Sequence, residues 1–173
     1  MNYADIKKVD VANGPGVRVS LFVSGCTHRC EGCFNPETWD FDYGSPFGEA
    51  EADRILGLLA PEHIRGLSLL GGEPFEPANQ GPVLELVERV RKELPGKTVW
   101  CYSGYRFEEL AAGKVGDHSR SLLEGLDVLV DGPFVQAKKD LGLRFRGSNN
   151  QRIIDVPASL AAGEARMVEE YMN

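Results

Sequence analysis

Three of the four cysteines fall within eight residues, as Cys26-Thr27-His28-Arg29-Cys30-Glu31-Gly32-Cys33. Thiolates at i, i+4 and i+7 would share one face of a helix and form an inert core stripe. Ser24-Gly25 before them, Gly32 among them and Asn35-Pro36 after them resist a helix, so the cysteines are assigned to a loop. A loop with three thiolates can wrap a soft metal centre, either zinc or an iron–sulfur cluster. Structural zinc closes with four ligands, typically two closely spaced pairs, and the chain has no second pair. His28 lies between two cysteines and would have to fold back onto an ion that they grip. Cubane clusters usually take four cysteines, so three leave one iron open to a substrate or cofactor. The fourth cysteine, Cys101, alternates with Trp100 and Tyr102 and reads as a small buried residue of a strand.

The elements that must position this loop follow from patterning. Val17 to Val23 is rich in β-branched and aromatic residues and ends at Ser24-Gly25, which places the cysteines at the C-terminal end of a first strand. Residues 46–60 read as a helix with acids in its early turns, and 67–70 as a second strand stopped by Gly71-Gly72. Val83, Leu86, Val87, Val90 and Leu94 recur at spacings of three and four, giving an amphipathic helix over 82–94. A third strand at 98–102, a short helix at 107–112 and a fourth strand at 127–130 complete a strand–helix rhythm that implies parallel strands. Residues 143–146 and 151–156 read as edge strands, and 158–173 as a C-terminal helix or tail.

Gly71-Gly72-Glu73-Pro74 then occupies the strand end equivalent to that of the cysteine loop. An ordinary Gly-Gly turn accounts for it locally, but sites in parallel α/β folds form at these ends. Glycines let backbone approach a ligand closely, and Glu73 offers a carboxylate to a cationic group. A pocket with a metal centre on one side and an ammonium-bearing ligand on the other is expected.

Length and composition bound the rest. At 173 residues the chain is expected to be a single domain spanning 1–173, with room for about six strand–helix units of ~30 residues each. A closed eight-unit barrel, usually ~250 residues, is excluded; an α/β fold of about six mostly parallel strands, a partial (open) β/α barrel, is expected. The longest apolar runs fall far short of the ~20 residues that span a bilayer, and Met1 to Asp5 starts no signal peptide. A cytoplasmic protein without membrane contact is expected. A net charge of −7 argues against a general nucleic-acid surface. Against that charge, residues 138–152 carry a local +4, either a solvated face or a patch for an acidic partner or carboxylate. Asp131, in Asp-Gly-Pro at the end of the fourth strand, reads as a turn former or a polar pocket residue.

With these residues in place, the chain resembles the radical S-adenosylmethionine superfamily. Cys26-x₃-Cys30-x₂-Cys33 is similar to that superfamily's signature, and Gly71-Gly72-Glu73 to the loop that meets the methionine amino group. The resemblance is closer to the activase family of anaerobic (class III) ribonucleotide reductase. It is carried by Asn13-Gly14-Pro15-Gly16, Gly32-Cys33-Phe34-Asn35, Tyr102-Ser103-Gly104-Tyr105, Asp131-Gly132-Pro133-Phe134 and Arg146-Gly147-Ser148-Asn149-Asn150-Gln151-Arg152, and runs from about residue 9 to 155.

The resemblance implies a 4Fe-4S cluster on Cys26, Cys30 and Cys33, with S-adenosylmethionine chelated by the open iron. Such clusters reach potentials near roughly −700 mV, suited to reducing a sulfonium. It also implies a 5′-deoxyadenosyl radical that takes hydrogen from a glycine of the reductase. Implied cofactor contacts are Gly32, Cys33, Phe34, Gly71, Gly72 and Glu73. Gly32 stands where the wider superfamily often has an adenine-contacting aromatic, and Phe34 is the substitute. Partners are the reductase and an electron donor such as flavodoxin or ferredoxin, and no catalytic residue beyond cluster and cofactor is expected. Activation of another glycyl-radical enzyme, of the pyruvate formate-lyase type, or other radical chemistry is the alternative. A non-catalytic zinc or iron–sulfur module is a more distant one.

Overall fold

Alternation along Val17–Val23 sets the layering of the computed structural model, which describes residues 1–172. Side chains of a strand point to opposite faces in turn. Val19, Leu21 and Val23 join Leu67, Leu69, Val99, Cys101, Leu129 and Ile154 in one apolar cluster with the helices. Arg18, Ser20 and Phe22 are therefore turned to the other face. Cys101 is fully buried on the helix side.

Seven strands form one open sheet in the order β3-β1-β2-β4-β5-β6-β7. They are β1 (Asn2–Asp10), β2 (Val17–Val23), β3 (Ser45–Pro46), β4 (Ile64–Gly71), β5 (Thr98–Ser103), β6 (Val128–Asp131) and β7 (Arg152–Asp155). The central strands β2, β4, β5 and β6 run parallel. They are linked by α1 (Glu49–Leu59), by α2 (Pro77–Glu93), and by α3 (Phe107–Ala111) with α4 (Ser119–Glu124). The edges correct the expected topology, because β1 pairs antiparallel with both β2 and β3, and β7 antiparallel with β6. Strand β1 escapes the sequence pattern because only Ile6 and Asp10 along it are buried; its backbone ladder holds it rather than an apolar face.

The C-terminal part departs further from expectation. Residues 143–146 form no strand, and Phe145 takes a positive φ of 54°. The last α-helix among the described residues, α5 (Val156–Ala162), stops at Gly163, after which the chain doubles back so that Met167 bridges Ile154 and the Val168 N–H donates to the Ile153 carbonyl. Of the expected 158–173 element, Asn173 lies outside the described residues.

This returning tail, the loop after β1 and the loop before β7 cover the face without helices. Trp100, Phe145 and Tyr171 meet there with ring centroids 5.3–5.7 Å apart. Arg18 lies buried beneath, donating to Ser68 Oγ, Thr98 Oγ1 and the carbonyls of Leu67 and Thr98, with its guanidinium over Trp100. Burial pushes Arg18 down to about 10. Asp131 is a knot at the strand end: it accepts from the Phe107 N–H at the start of α3 and pairs with Arg152 of β7. The expected basic stretch is thus partly spent on internal contacts.

Asp10 anchors the loop after β1. Its carboxylate accepts from Ser20 Oγ (2.6 Å), Asn13 Nδ2 (2.6 Å) and the N–H groups of Ala12 (2.8 Å) and Asn13 (3.3 Å). Burial works to raise its pKa, but the hydrogen bonds together hold it below the ordinary carboxylate value. A depressed folded pKa stabilises the protein above the unfolded value of about 3.9 and loses that contribution as pH falls through the folded one. Asp10→Asn is expected to lower unfolding free energy by about 2 kcal/mol at pH 7. In denaturant titrations the gap between variant and wild type should close below about pH 4; a gap that persists unchanged at pH 2 would contradict this role.

Candidate metal and cofactor site

Parallel pairing of β2 with β4 sets Val23 opposite Gly71, so the chain leaves both strands side by side. The Gly72 N–H donates to the Val23 carbonyl (2.7 Å) and the Glu73 N–H to the Gly25 carbonyl (2.8 Å), continuing the ladder into the two loops. Gly71 has φ +107°, a region that favours glycine. Gly72 is required by contact: a Cβ there would lie 2.6 Å from the Gly25 oxygen and 2.8 Å from the Thr38 oxygen. Asn79, buried in the first turn of α2, donates to the carbonyls of both Ser24 (2.9 Å) and Glu73 (3.0 Å) and ties the loops together.

Two buried acids hold the cysteine loop from beneath. Glu73 is 1% exposed, and its oxygens accept from Phe75 N–H (2.9 Å), Ser103 Oγ (2.9 Å), Gly104 N–H (2.7 Å) and, across the loops, His28 Nε2 (2.9 Å). Four donors fill the roughly four acceptor positions of a carboxylate. The His28 ring also packs on Tyr105, centroids 4.4 Å apart, and its hydrogen bond to Glu73 raises its pKa. Glu76 is 4% exposed, and its Oε1 accepts from both the N–H and the hydroxyl of Thr27 at 2.6 Å.

One cavity of about 420 Å³ brings together Cys26, Cys30, Cys33, Phe34, Gly71, Gly72 and Glu73. Its volume lies in the usual range for small-molecule sites. Gly32, next to Cys33, is not among the residues that line the cavity, and a Cβ there would meet the Gln136 side chain. Phe34, 58% exposed, stands on the rim with its ring 5.1 Å from Phe134 and Lys139 over it. All four thiols are free, and the Asn35 N–H donates to Cys33 Sγ (3.4 Å). Burial pushes the Cys26 thiol up to about 11, with Glu73 and Glu76 adding to the shift, and burial raises Cys30 as well. Among the described residues no three His, Cys, Asp or Glu side chains converge on a single ion-sized point.

Sequence reasoning found the thiols and the glycine pair, weighed His28 only as a metal ligand and not as a partner of Glu73, and missed Glu76, Asn79 and the role of Ser103. Only the Glu73-x₂-Glu76 spacing, ahead of an N-terminal helical proline, hinted that two acids share one turn. Gly72→Ala drives a methyl into two carbonyl oxygens, and is expected to cost about 2 kcal/mol of stability and to part the loops. Thermal unfolding checks this; a variant as stable as wild type would show that the loops are not held at contact distance.

Comparison with known proteins fits this geometry. A family described as a 4Fe-4S single cluster domain matches residues 12–154. The chain is 47% identical over 155 residues to the anaerobic ribonucleoside-triphosphate reductase-activating protein of Vibrio cholerae, covering 88% of this chain and 97% of the relative. It is 46% identical over 153 residues to the protein of that name from Escherichia coli K12, covering 87% and 96%. With the protein of that name from Enterobacteria phage T4 identity is 38% over 155 residues, covering 88% and 93%. The chain therefore belongs to the family of anaerobic ribonucleoside-triphosphate reductase-activating proteins and carries its 4Fe-4S single cluster domain.

Proposed function

We propose that this chain is a radical S-adenosylmethionine activase, with Cys26, Cys30 and Cys33 holding a 4Fe-4S cluster whose fourth iron is left to the cofactor. The observation that carries the reading is the convergence of three free thiols and the Gly71-Gly72-Glu73 loop on one cavity at the ends of β2 and β4. The donor set suits a cluster: three soft thiols on one loop, each available to a different iron, and an amide N–H already donating to one sulfur. Bound there, cluster and cofactor would supply one-electron reductive cleavage of the sulfonium and, through it, removal of hydrogen from a glycine α-carbon of anaerobic ribonucleoside-triphosphate reductase.

The chain's own residues position and shield. Gly71 and Gly72 let the wall at the methionine end come close to the ligand. Glu73 contributes negative charge there and fixes Gly104 and His28, since its oxygens are already engaged. Phe34 offers an aromatic face to adenine at the rim, braced by Phe134. Leu70, Phe134 and Phe145 line the cavity with apolar surface and keep water from a reactive radical. A single domain whose open sheet curves as a partial β/α barrel leaves a side by which the reductase can present its glycine. The electron comes from a small donor protein such as flavodoxin or ferredoxin, in the cytoplasm. Among the described residues no helix is long and apolar enough to cross a membrane.

Anaerobic reconstitution with iron and sulfide, then dithionite and S-adenosylmethionine, is expected to give methionine and 5′-deoxyadenosine in equal amounts. No 5′-deoxyadenosine above background would overturn the reading. By iron analysis Cys30→Ser is expected to load poorly, while Cys101→Ser, altered only in the helix-side core, should load as wild type does. Loss of iron from Cys101→Ser would contradict the three-cysteine site.

A further inference from the structure

We propose that Glu76, assisted by Glu73, tunes the redox potential: its buried carboxylate beside the cysteine loop makes the added electron costlier and the reduced cluster a stronger reductant. The inference rests on the reading that Cys26, Cys30 and Cys33 hold the cluster, and it assigns a role to a residue outside the cofactor cavity.

The geometry is specific. Glu76 Oε1 lies 2.6 Å from the amide nitrogen that directly follows Cys26, and 2.6 Å from the hydroxyl of the same residue, Thr27. Among the described residues neither Glu76 nor Glu73 pairs with a lysine or arginine, and the one ion-pair partner of Glu73 is His28. Arg29, the arginine within the cysteine loop itself, is exposed and lies over the Trp39 ring. The two acids thus sit in low dielectric without a full counter-charge, where a field reaches farther than in water. Reduction adds one electron and therefore one negative charge to the group on the three thiolates; no bond breaks and no proton moves. A fixed negative charge a few ångströms from the loop opposes that addition.

Cluster potentials respond to net charge. Burial of Glu73 and Glu76 beneath the loop keeps water from screening them, and their charge pushes the cluster toward the strongly reducing range that cleavage of a sulfonium requires.

The test is a potentiometric titration of the reconstituted protein followed by EPR of the reduced cluster. In Glu76→Gln the shape and the acceptor oxygen facing Thr27 are kept and the charge is removed. At fixed potential the reduced-to-oxidised ratio is expected to rise about tenfold, a positive shift of about 59 mV for one electron. Thr27→Val loosens the same contact while leaving the charge, and its midpoint is expected to match wild type. An unchanged midpoint in Glu76→Gln, or an equal shift in Thr27→Val, would overturn the inference while the cluster reading stands. Wild-type protein that takes up no iron and sulfide would overturn the cluster reading and this inference with it.

Discussion

The parallel register of β2 against β4 is the constraint on which the site depends. Because Val23 stands opposite Gly71, the loop that bears the cysteines and the loop that bears the glycines leave the sheet together. Two further backbone bonds carry the ladder past the strands, and they form only if residue 72 has no side chain. A one-residue slip would turn Leu21 and Leu69 away from the helices and separate the loops in the same step. Core packing and site assembly are thus one structural event, enforced from the helix side by Ile55, Leu59, Val83 and Leu86.

Charge is distributed with a clear division. Basic residues near the sheet are neutralised or caged internally: Arg152 by Asp131 and Glu108, Arg18 by hydroxyls and carbonyls, Arg146 by the carbonyls of Asn149, Gln151 and Met172. The acids beneath the cysteine loop have no lysine or arginine partner among the described residues. A buried charge without a partner is destabilising unless hydrogen bonds hold it, and Glu73 has four donors to do so. The site keeps negative charge where a sulfonium and an ammonium are proposed to bind, at a cost offset by backbone N–H groups and the packing of His28 on Tyr105.

Legibility in the sequence followed the physics of each segment. Cys26 to Cys33 and Gly71-Gly72 stood out because regular structure is broken there by residues with little other use. The body of α2 was readable from Val83 onward, where burial is hydrophobic and periodic. Its first turn was not, because Asn79 and Gln80 are buried by hydrogen bonds to loop carbonyls and look like solvent-facing residues in the sequence. Glu76 was hidden for the same reason. Strand β1 and the returning tail were illegible because their buried apolar residues are sparse and unpatterned: Ile6 and Tyr3 reach the core from a strand otherwise held by its ladder, and Val168, Tyr171 and Met172 pack near Trp100 and Phe145 far away in sequence.

These features converge on one proposed act, the transfer of radical character from a bound cofactor to a glycine of a protein partner. The direct measurement is EPR of anaerobic ribonucleoside-triphosphate reductase mixed without oxygen with the reconstituted, reduced chain and S-adenosylmethionine. The expected result is a stable glycyl doublet on the reductase that grows in proportion to the cofactor consumed. Consumption of the cofactor with no glycyl signal on the reductase would contradict the assignment.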